Sequence, residues 1–318
     1  MRRSIGLHPL QRTSDRDGSS HGDPLHRYLI CGYCSPVASV ISGEASDLLT
    51  RSTRPQSLIF TIYGAYSRPL EGWLSVSALV DLMNDLGIEE ATVRSALSRF
   101  KRRGILHAEK RSSLAGYALS YGARQTFDAG DARVLEPRSN QNKGWLLAAF
   151  SIPESNRDLR YRLRSRLIWM GFAQVTGGLW IAPAQLENEV LELARELAVT
   201  DYLDVFRAEH LAFKPTVEAI ASWWDLKSIA SMHEAFIDSQ SDVARKWSKG
   251  TAVTPVAAFV DYTKALTSWR HLPYLDPGLP AEYLPKDWVG MKSADIFFKL
   301  KKELASAAME HVKQTVKR

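Results

Sequence analysis

The sequence has little cysteine and no long apolar run. Its two cysteines, Cys31 and Cys34, lie close together near the N terminus, so a framework of structural disulfides is excluded. No apolar stretch approaches the ~20 residues that a membrane-spanning helix requires, and the first residues lack the apolar segment of a signal peptide. We therefore predict a cytoplasmic protein that has no membrane partner.

Patterns typical of enzymes and metal sites are also scarce. His21, His26, Cys31 and Cys34 offer nitrogen and sulfur ligands for zinc, but their order and spacing match no zinc-finger pattern. A pairing of Asp276 with His271 would suggest catalysis, yet no nucleophile or third group lies nearby in the sequence. The sequence predicts a protein that is not an enzyme and that binds no metal and no cofactor.

The chain does contain enough apolar sequence for several domains. It has 318 residues, of which 45% are hydrophobic and 24% are charged, and this length allows two or three domains. The net charge of +6 fits a polyanionic partner without requiring one. The predicted parts are a disordered extension over residues 1–54, a DNA-binding domain over 55–121, a linker over 122–140, an α/β domain over 141–214 and a helical domain over 215–318.

The DNA-binding domain is predicted from an order of helices and turn residues. Pro55 can begin a helix over residues 57–66, residues 68–73 form a loop, and Ser75 or Ser77 can cap a second helix. Gly87 can end this second helix in the left-handed conformation, and a basic helix follows at once. This order is typical of a helix-turn-helix.

The basic helix, over residues 88–103, is the predicted recognition helix. Ala91, Ala96, Leu97 and Phe100 form a weak apolar face at helical spacing. Arginines on the other face can bind guanine or phosphate, and small hydroxyl side chains let the backbone approach the major groove. The predicted DNA contacts of this helix are Thr92, Arg94, Ser95, Ser98, Arg99, Lys101, Arg102 and Arg103.

A hairpin is predicted after Gly104, with strands over residues 105–107 and 117–119. The polar residues 110–115 are the predicted loop of this hairpin, which would be the wing of a winged helix-turn-helix. Lys110 and Arg111 are predicted to contact phosphates beside the major groove.

The middle domain shows the order strand, helix, strand, strand, helix, strand. An apolar strand ends near Phe150, a helix covers residues 158–170, and Gly177-Gly178 indicates a hairpin before a helix over residues 184–197. Residues 202–206 and 210–213 supply the last strand. This order is typical of a ferredoxin-like fold, so the predicted fold class is multidomain α+β.

Several arginines follow one another on the first helix of the middle domain. A solvated surface opposite the leucines would explain them, and so would subunit pairing or contact with the DNA backbone. Alternatively, Arg160 and Arg164, one helical turn apart, can clamp the phosphates of a coenzyme A thioester. In the helical domain, an aromatic segment with four prolines, residues 268–297, is either the wall of an effector pocket or a structural brace.

Segments of all three domains, from residue 55 to about 310, carry a resemblance to one known family: Ser57-Leu58, Trp73-Leu74, Leu86-Gly87-Ile88, residues 93–99, Arg103-Gly104, residues 160–183, Trp269-Arg270, Pro273, Asp276-Pro277, Leu279-Pro280, Leu284-Pro285 and Trp288. These segments resemble the PaaX repressors of phenylacetic-acid degradation. The wing departs from the family pattern, since Ser112-Ser113-Leu114 replaces a basic tip that contains glycine.

The resemblance implies a homodimeric repressor of an aromatic-acid catabolic operon, released from operator DNA by an aryl-CoA thioester such as phenylacetyl-CoA. Effector contacts are accordingly predicted at Arg160, Arg164, Trp269, Arg270 and His271. The middle region also resembles the small ferredoxin-fold nucleases of CRISPR systems, which makes a metal-dependent nuclease the alternative. No aspartate ends the first strand, where such nucleases hold magnesium. A DNA-binding architectural protein without an effector is the third possibility.

Overall fold

The computed structural model describes residues 53–138, 144–211, 213–248 and 252–317. The ligand candidates His21, His26, Cys31 and Cys34 lie outside these residues, and so does almost all of the predicted N-terminal extension. Among the described residues, no helix is both long and apolar enough to cross a membrane.

The N-terminal part has three helices and a three-stranded sheet. Its elements are α1 (Pro55–Ile62), β1 (Trp73–Ser75), α2 (Val76–Asp85), α3 (Glu90–Arg102), β2 (Leu106–Arg111) and β3 (Leu114–Leu119). A π-helical turn and a 3₁₀ turn continue α1 as far as Leu70. The sheet order is β1-β3-β2, and both pairs are antiparallel. The predicted loop over residues 68–73 was wrong at both ends, because Arg68 belongs to the 3₁₀ turn and Trp73 pairs with Ala118 in the sheet.

The segment predicted as a linker contains a helix. This helix, α4 (Tyr121–Leu135), begins at Ser120, whose hydroxyl accepts a hydrogen bond from the Ala123 amide at 3.3 Å. It carries little apolar periodicity of its own, and only Gly122 and Ala123 are buried along it. Its first residues therefore pack against the N-terminal part, and the helix carries the chain towards the central domain.

The central domain has the predicted order of elements. They are β4 (Trp145–Phe150), α5 (Arg157–Trp169), β5 (Ala173–Thr176), β6 (Leu179–Pro183), α6 (Glu187–Glu196) and β7 (Leu203–Ala208). The sheet order is β5-β6-β4-β7, in which every neighbouring pair is antiparallel, and this is the ferredoxin-like arrangement. The second strand segment predicted at residues 210–213 was wrong, because β7 ends at Ala208 and no strand includes the described residues 210, 211 and 213.

The C-terminal part is helical. Its helices are α7 (Thr216–Trp223), α8 (Leu226–Ser248), α9 (Pro255–Trp269), the short α10 (Leu272–Leu275) and α11 (Val289–Val316). The proline-rich segment between α9 and α11 contains α10 and a 3₁₀ turn at Ala281–Tyr283. We call residues 270–288 the proline-rich loop.

The N-terminal and C-terminal parts share one apolar core. Buried side chains of α1, α2 and α3 belong to the same cluster as those of α8, α9 and α11. Two hydroxyl contacts lie within this core: Tyr66 with Thr263 at 2.9 Å, and Thr267 with Thr61 at 2.8 Å. The central domain has its own core between the sheet and helices α5 and α6, and a third, smaller cluster joins it to the helical part.

Candidate nucleic-acid interface and candidate effector site

A tight turn positions α3 relative to α2. The Ser75 hydroxyl caps α2 by accepting a hydrogen bond from the Ala78 amide at 3.1 Å, and the Ile88 amide closes the far end by donating to the Met83 carbonyl at 2.9 Å. Gly87, directly before Ile88, has a φ of 82°, a conformation that glycine adopts without steric cost. The chain can therefore reverse direction within a few residues and begin α3 at Glu90.

The two faces of α3 differ sharply in burial. Val93, Ala96, Leu97 and Phe100 are buried, at spacings of three and four residues, which is one face of a helix. The prediction that Ala91 belongs to this face was wrong: Ala91 is exposed, because it lies two residues before Val93 and so projects from the opposite side.

Seven of the eight predicted contact residues of α3 lie together on its exposed face. Arg103, which caps the helix, is half-buried. The exposed residues are Thr92, Arg94, Ser95, Ser98, Arg99, Lys101 and Arg102. Arg94 alone among these cations has a carboxylate partner in the described part of the chain, since Glu90 Oε1 accepts from its Nε at 2.7 Å.

The hairpin after α3 is tighter than predicted. Lys110 and Arg111 lie in β2 and Leu114 begins β3, so the predicted loop over residues 110–115 was wrong and only Ser112 and Ser113 turn the chain. Their φ values of 44° and 71° are both left-handed, as in a type I′ turn. The prediction failed because neither serine gives the glycine or asparagine signal of such a turn.

Arg111 lies directly before the turn of this hairpin and is held by two carboxylates. It donates to Glu109 at 2.6 Å and to Glu71 at 2.8 Å, and its guanidinium lies 5.4 Å from the ring centroid of Trp73. The hydrogen bond from Arg111 lowers the pKa of the Glu109 carboxyl. A phosphate that binds Arg111 would have to compete with two carboxylates, whereas Lys110 is exposed.

Arg160 and Arg164 lie on α5 and have partners within the central domain. Arg160 donates to the Glu154 carboxylate, and Arg164 donates to Gln174 Oε1 at 3.1 Å. The Arg164 guanidinium also lies 5.9 Å from the ring centroid of Trp180, a side chain that is buried beneath it.

The other predicted effector residues lie at the end of α9, beside the shared core. Trp269 is buried, stacks on Phe297 with a centroid distance of 4.7 Å, and donates its indole N–H to the Val134 carbonyl at 2.9 Å. The Arg270 guanidinium lies 4.6 Å from the ring centroid of Phe60 in α1. Arg270 and His271 are half-buried. Arg160 and Arg164 thus contact the central domain, whereas Trp269 and Arg270 contact the core that α1 shares with the helical part.

Comparison with known proteins matches the chain to one family along most of its length. Three family descriptions fit successive segments: "PaaX-like protein" over residues 54–123, "PaaX protein central Cas2-like domain" over 138–220 and "PaaX-like protein C-terminal domain" over 224–314. The chain belongs to the PaaX family. The "Transcriptional repressor PaaX" of Escherichia coli (strain K12) is 26% identical over 267 residues, which are 81% of this chain and 83% of that protein.

One solved structure has a similar fold. The "Uncharacterized protein Rv0674 from Mycobacterium tuberculosis" superposes with a TM-score of 0.55 at 24% sequence identity. The superposition covers 83% of this chain and 99% of that one. The similarity therefore extends across the domains, and at this identity it concerns the fold alone.

In this PaaX-family chain, Asp276 of the proline-rich loop pairs with a histidine that the sequence did not indicate. Its carboxylate lies 3.0 Å from His233 Nε2 and 3.2 Å from Arg138 Nη1, and it accepts from the Gly278 amide at 2.6 Å. Burial alone would raise the pKa of Asp276, but Arg138 and His233 hold it well below its usual value.

Ser293, His233 and Asp276 contact one another in the order of a Ser-His-Asp triad, since Ser293 Oγ lies 2.6 Å from the other ring nitrogen of His233, Nδ1. Ser293 is completely buried, however, and its hydroxyl also donates to the Gly290 carbonyl at 2.9 Å. A substrate has no access to a hydroxyl in this position. The triad therefore joins the loop to α8 and α11 as a structural group.

Arg133, on α4, is a second residue that the sequence did not indicate. It donates to the Pro273 carbonyl at 2.9 Å and to the Met170 carbonyl at 3.0 Å, and it lies 4.8 Å from the Tyr274 ring centroid. Burial, and then the charge of Arg138, lower its pKa to about 10. Arg133 thus links α4, the end of α5 and the proline-rich loop. The sequence did not indicate this role, because Arg133 lies within the predicted linker.

The Cas2-like domain has few carboxylates where a nuclease would hold magnesium. Strand β4 ends at Phe150, and the next carboxylate along the chain, Glu154, pairs with Arg160. Within the described ranges, no group of three or more His, Cys, Asp or Glu side chains is placed to hold a metal ion.

Proposed function

We propose that this PaaX-family protein is a DNA-binding transcriptional repressor. In this proposal residues 55–121 are a winged helix-turn-helix, α3 is the recognition helix, and β2 and β3 form the wing. The observation that carries the proposal is the division of α3 into a buried apolar face and an exposed face of hydroxyls and cations. A helix of this kind can approach base edges with its small residues and bind phosphates with its arginines. The Escherichia coli relative, named as a transcriptional repressor, supports it.

The proposed DNA contacts divide into two groups according to their position. Arg94, Ser95, Ser98 and Arg99 lie in the middle of α3, where side chains of a recognition helix face base edges. Lys101, Arg102 and Arg103 lie at its C-terminal end and are assigned to phosphates, together with Lys110 of the wing. The protein would act in the cytoplasm as a homodimer, so that two α3 helices bind equivalent half-sites about one or two helical turns apart.

An aryl-CoA thioester is the proposed effector, as the family resemblance implies. Arg160 and Arg164 are its proposed phosphate ligands, and binding would replace their present contacts with Glu154 and Gln174. Trp269, which is buried, would support an effector site from behind, whereas Arg270 and His271 at the end of α9 are the proposed contacts there. The effector would favour a dimer geometry in which the two recognition helices no longer fit successive grooves.

One experiment tests the repressor against the alternatives. The purified protein is footprinted on the DNA upstream of its own gene, with and without phenylacetyl-CoA and with and without Mg²⁺. The repressor protects a discrete sequence and releases it on addition of the thioester. Strand cleavage that depends on Mg²⁺ would instead identify a nuclease, the alternative that the description of the central domain as Cas2-like suggests. Protection that the thioester does not change would identify an architectural protein.

A further inference from the structure

Glu90 and Arg94 form a fixed pair on the exposed face of α3. They are one helical turn apart, and 55% and 61% of their side-chain surfaces remain exposed. Glu90 Oε1 accepts from Arg94 Nε at 2.7 Å and lies 2.6 Å from Nη2. The carboxylate thus occupies one edge of the guanidinium, and the other edge, formed by Nη1 and Nη2, points away from it.

The open edge has the donor geometry that reads guanine. Two parallel N–H groups of an arginine can donate to O6 and N7 of guanine in the major groove. A long side chain that is already held in one conformation loses less entropy on binding than a mobile one. Arg99, five residues further along α3, has no carboxylate partner among the described residues, so of these two arginines Arg94 is the one held in advance.

A carboxylate on a surface that faces DNA opposes binding to phosphates. Removing Glu90 would therefore strengthen binding to DNA of any sequence, unless the carboxylate contributes to specificity. Glu90 lies in the first turn of α3, where the helix dipole stabilises an anion. This position accounts for an acid at residue 90 but does not explain the contact between Glu90 and Arg94. The adjacent Glu89 is also an exposed acid at the start of α3 and makes no side-chain capping bond, so it provides a matched control.

We infer that Glu90 is a positioning residue, which holds Arg94 in the conformation that reads one guanine of the operator. The inference rests on the proposed function. It assigns recognition of that base pair to two side chains, of which only Arg94 contacts the base. It further implies that Glu90 reduces affinity for non-operator DNA by electrostatic repulsion while it increases discrimination at one position.

The test measures discrimination at each base pair with the full-length protein. The duplex identified by footprinting is prepared with every single base-pair change, and dissociation constants are measured by fluorescence anisotropy at fixed salt. Where Arg94 reads guanine, a change of base weakens wild-type binding about 5- to 150-fold, and Arg94→Ala removes this difference. We expect Glu90→Gln, an isosteric change, to reduce the same difference by at least fivefold, while binding to non-operator DNA becomes tighter.

The control separates charge from positioning. Glu89→Gln removes the same charge and is expected to tighten binding to non-operator DNA without a change in discrimination. In the double variant with Arg94→Ala, Glu90→Gln should cause no further loss of discrimination, because the group that it positions is absent. Circular dichroism establishes that each variant is folded.

Two results would overturn the inference. Glu90→Gln with full discrimination at the Arg94 position would show that the pair only stabilises the helix. Equal weakening at all base pairs would assign Glu90 a structural role. A wild-type protein that binds no duplex at all would refute the proposed function itself, so the two failures are distinguishable.

Discussion

The N-terminal part of this protein is attached to the helical part in a different way from the central domain. Helices α1, α2 and α3 bury their apolar side chains in the same core as α8, α9 and α11. The central domain keeps a separate core and meets the helical part through a smaller aromatic cluster, in which Trp145 stacks on Trp224 and Tyr283. Arg133, Arg138 and Asp276 complete this second junction with polar contacts.

The difference bears on how an effector could change DNA binding. A continuous apolar core is close-packed and does not deform gradually, so α3 and the helical part should move as one body. A junction made of a small aromatic cluster and separate polar contacts can rearrange at smaller cost. If the proposed repressor responds to an effector, we therefore expect the central domain to move relative to the other two parts.

The largest expected effect comes from Phe297→Ala in the shared core. Phe297 is fully buried and stacks on Trp269, so the cavity should lower the free energy of unfolding by about 3–5 kcal/mol. Amide hydrogen exchange should become faster in α1, α2 and α3 as well as in α9 and α11. The matched variant Leu163→Ala, fully buried in the central core, should accelerate exchange in the central domain only. Unchanged protection of α1–α3 in Phe297→Ala would show that the two parts unfold separately.

The sequence predicted most local elements of this protein but not the core that its N-terminal and helical parts share. Most helices and strands followed from local signals such as Ser75, Gly87 and the apolar spacing of the segments. The contact between Thr61 and Thr267 joins residues 206 positions apart, and no periodicity or turn residue indicates it. The helix α4 was missed because it lacks an apolar face of its own, and its arginines stabilise it through contacts with distant carbonyl groups.

The candidate interface was predicted in more detail than the candidate effector site. The exposed residues of α3 follow from helical spacing, although Ala91 was assigned to the wrong face and the buried Val93 was left out of the apolar face. The effector residues depend on tertiary contacts: Trp269 faces the interior because Phe297 and Val134 surround it, and Phe297 lies 28 positions along the chain. Such contacts are not encoded in a local pattern.

A smaller effect is expected from Asp276→Asn at the junction of the central domain. Loss of the negative charge weakens the contacts with Arg138 and His233, and we expect a cost of about 1.5–3 kcal/mol in the free energy of unfolding. Because the pKa of Asp276 is lowered in the folded state, its contribution is fully present above the unfolded pKa of about 3.9 and is lost as the pH falls below it.

Urea denaturation between pH 7 and pH 3 measures this contribution. The wild-type protein should lose stability below about pH 4, and Asp276→Asn should lose less over the same interval, so that the two curves approach each other. Curves that stay parallel down to pH 3 would contradict the pairing of Asp276 with Arg138 and His233. Exchange in α1–α3 should change little, in contrast with Phe297→Ala.

Tyr66→Phe tests the polar part of the shared core. The Tyr66 hydroxyl lies 2.9 Å from Thr263 Oγ1, and both side chains are buried. We expect its removal to cost about 1–1.5 kcal/mol, because Thr263 loses a hydrogen-bond partner inside the core. Tyr121→Phe is the control, since Tyr121 is exposed and its hydroxyl accepts a hydrogen bond from the exposed Gln125 side chain; its effect should stay within about 0.5 kcal/mol. Equal effects in thermal denaturation would contradict a contribution from the buried contact.

The smallest expected effect lies at the turn of the wing, where Ser113 belongs to none of the apolar clusters. Ser113 has a φ of 71°, a conformation that is unfavourable for residues with a Cβ atom. Ser113→Gly relieves this strain but increases the entropy of the unfolded chain, so the net gain should be about 0.5–1 kcal/mol. Ser113→Ala keeps the strain and loses the hydroxyl, and should give no gain. Because Ser113 belongs to neither junction, slower amide hydrogen exchange in Ser113→Gly should be limited to β2 and β3. Slower exchange in the central domain would contradict the independence of the wing.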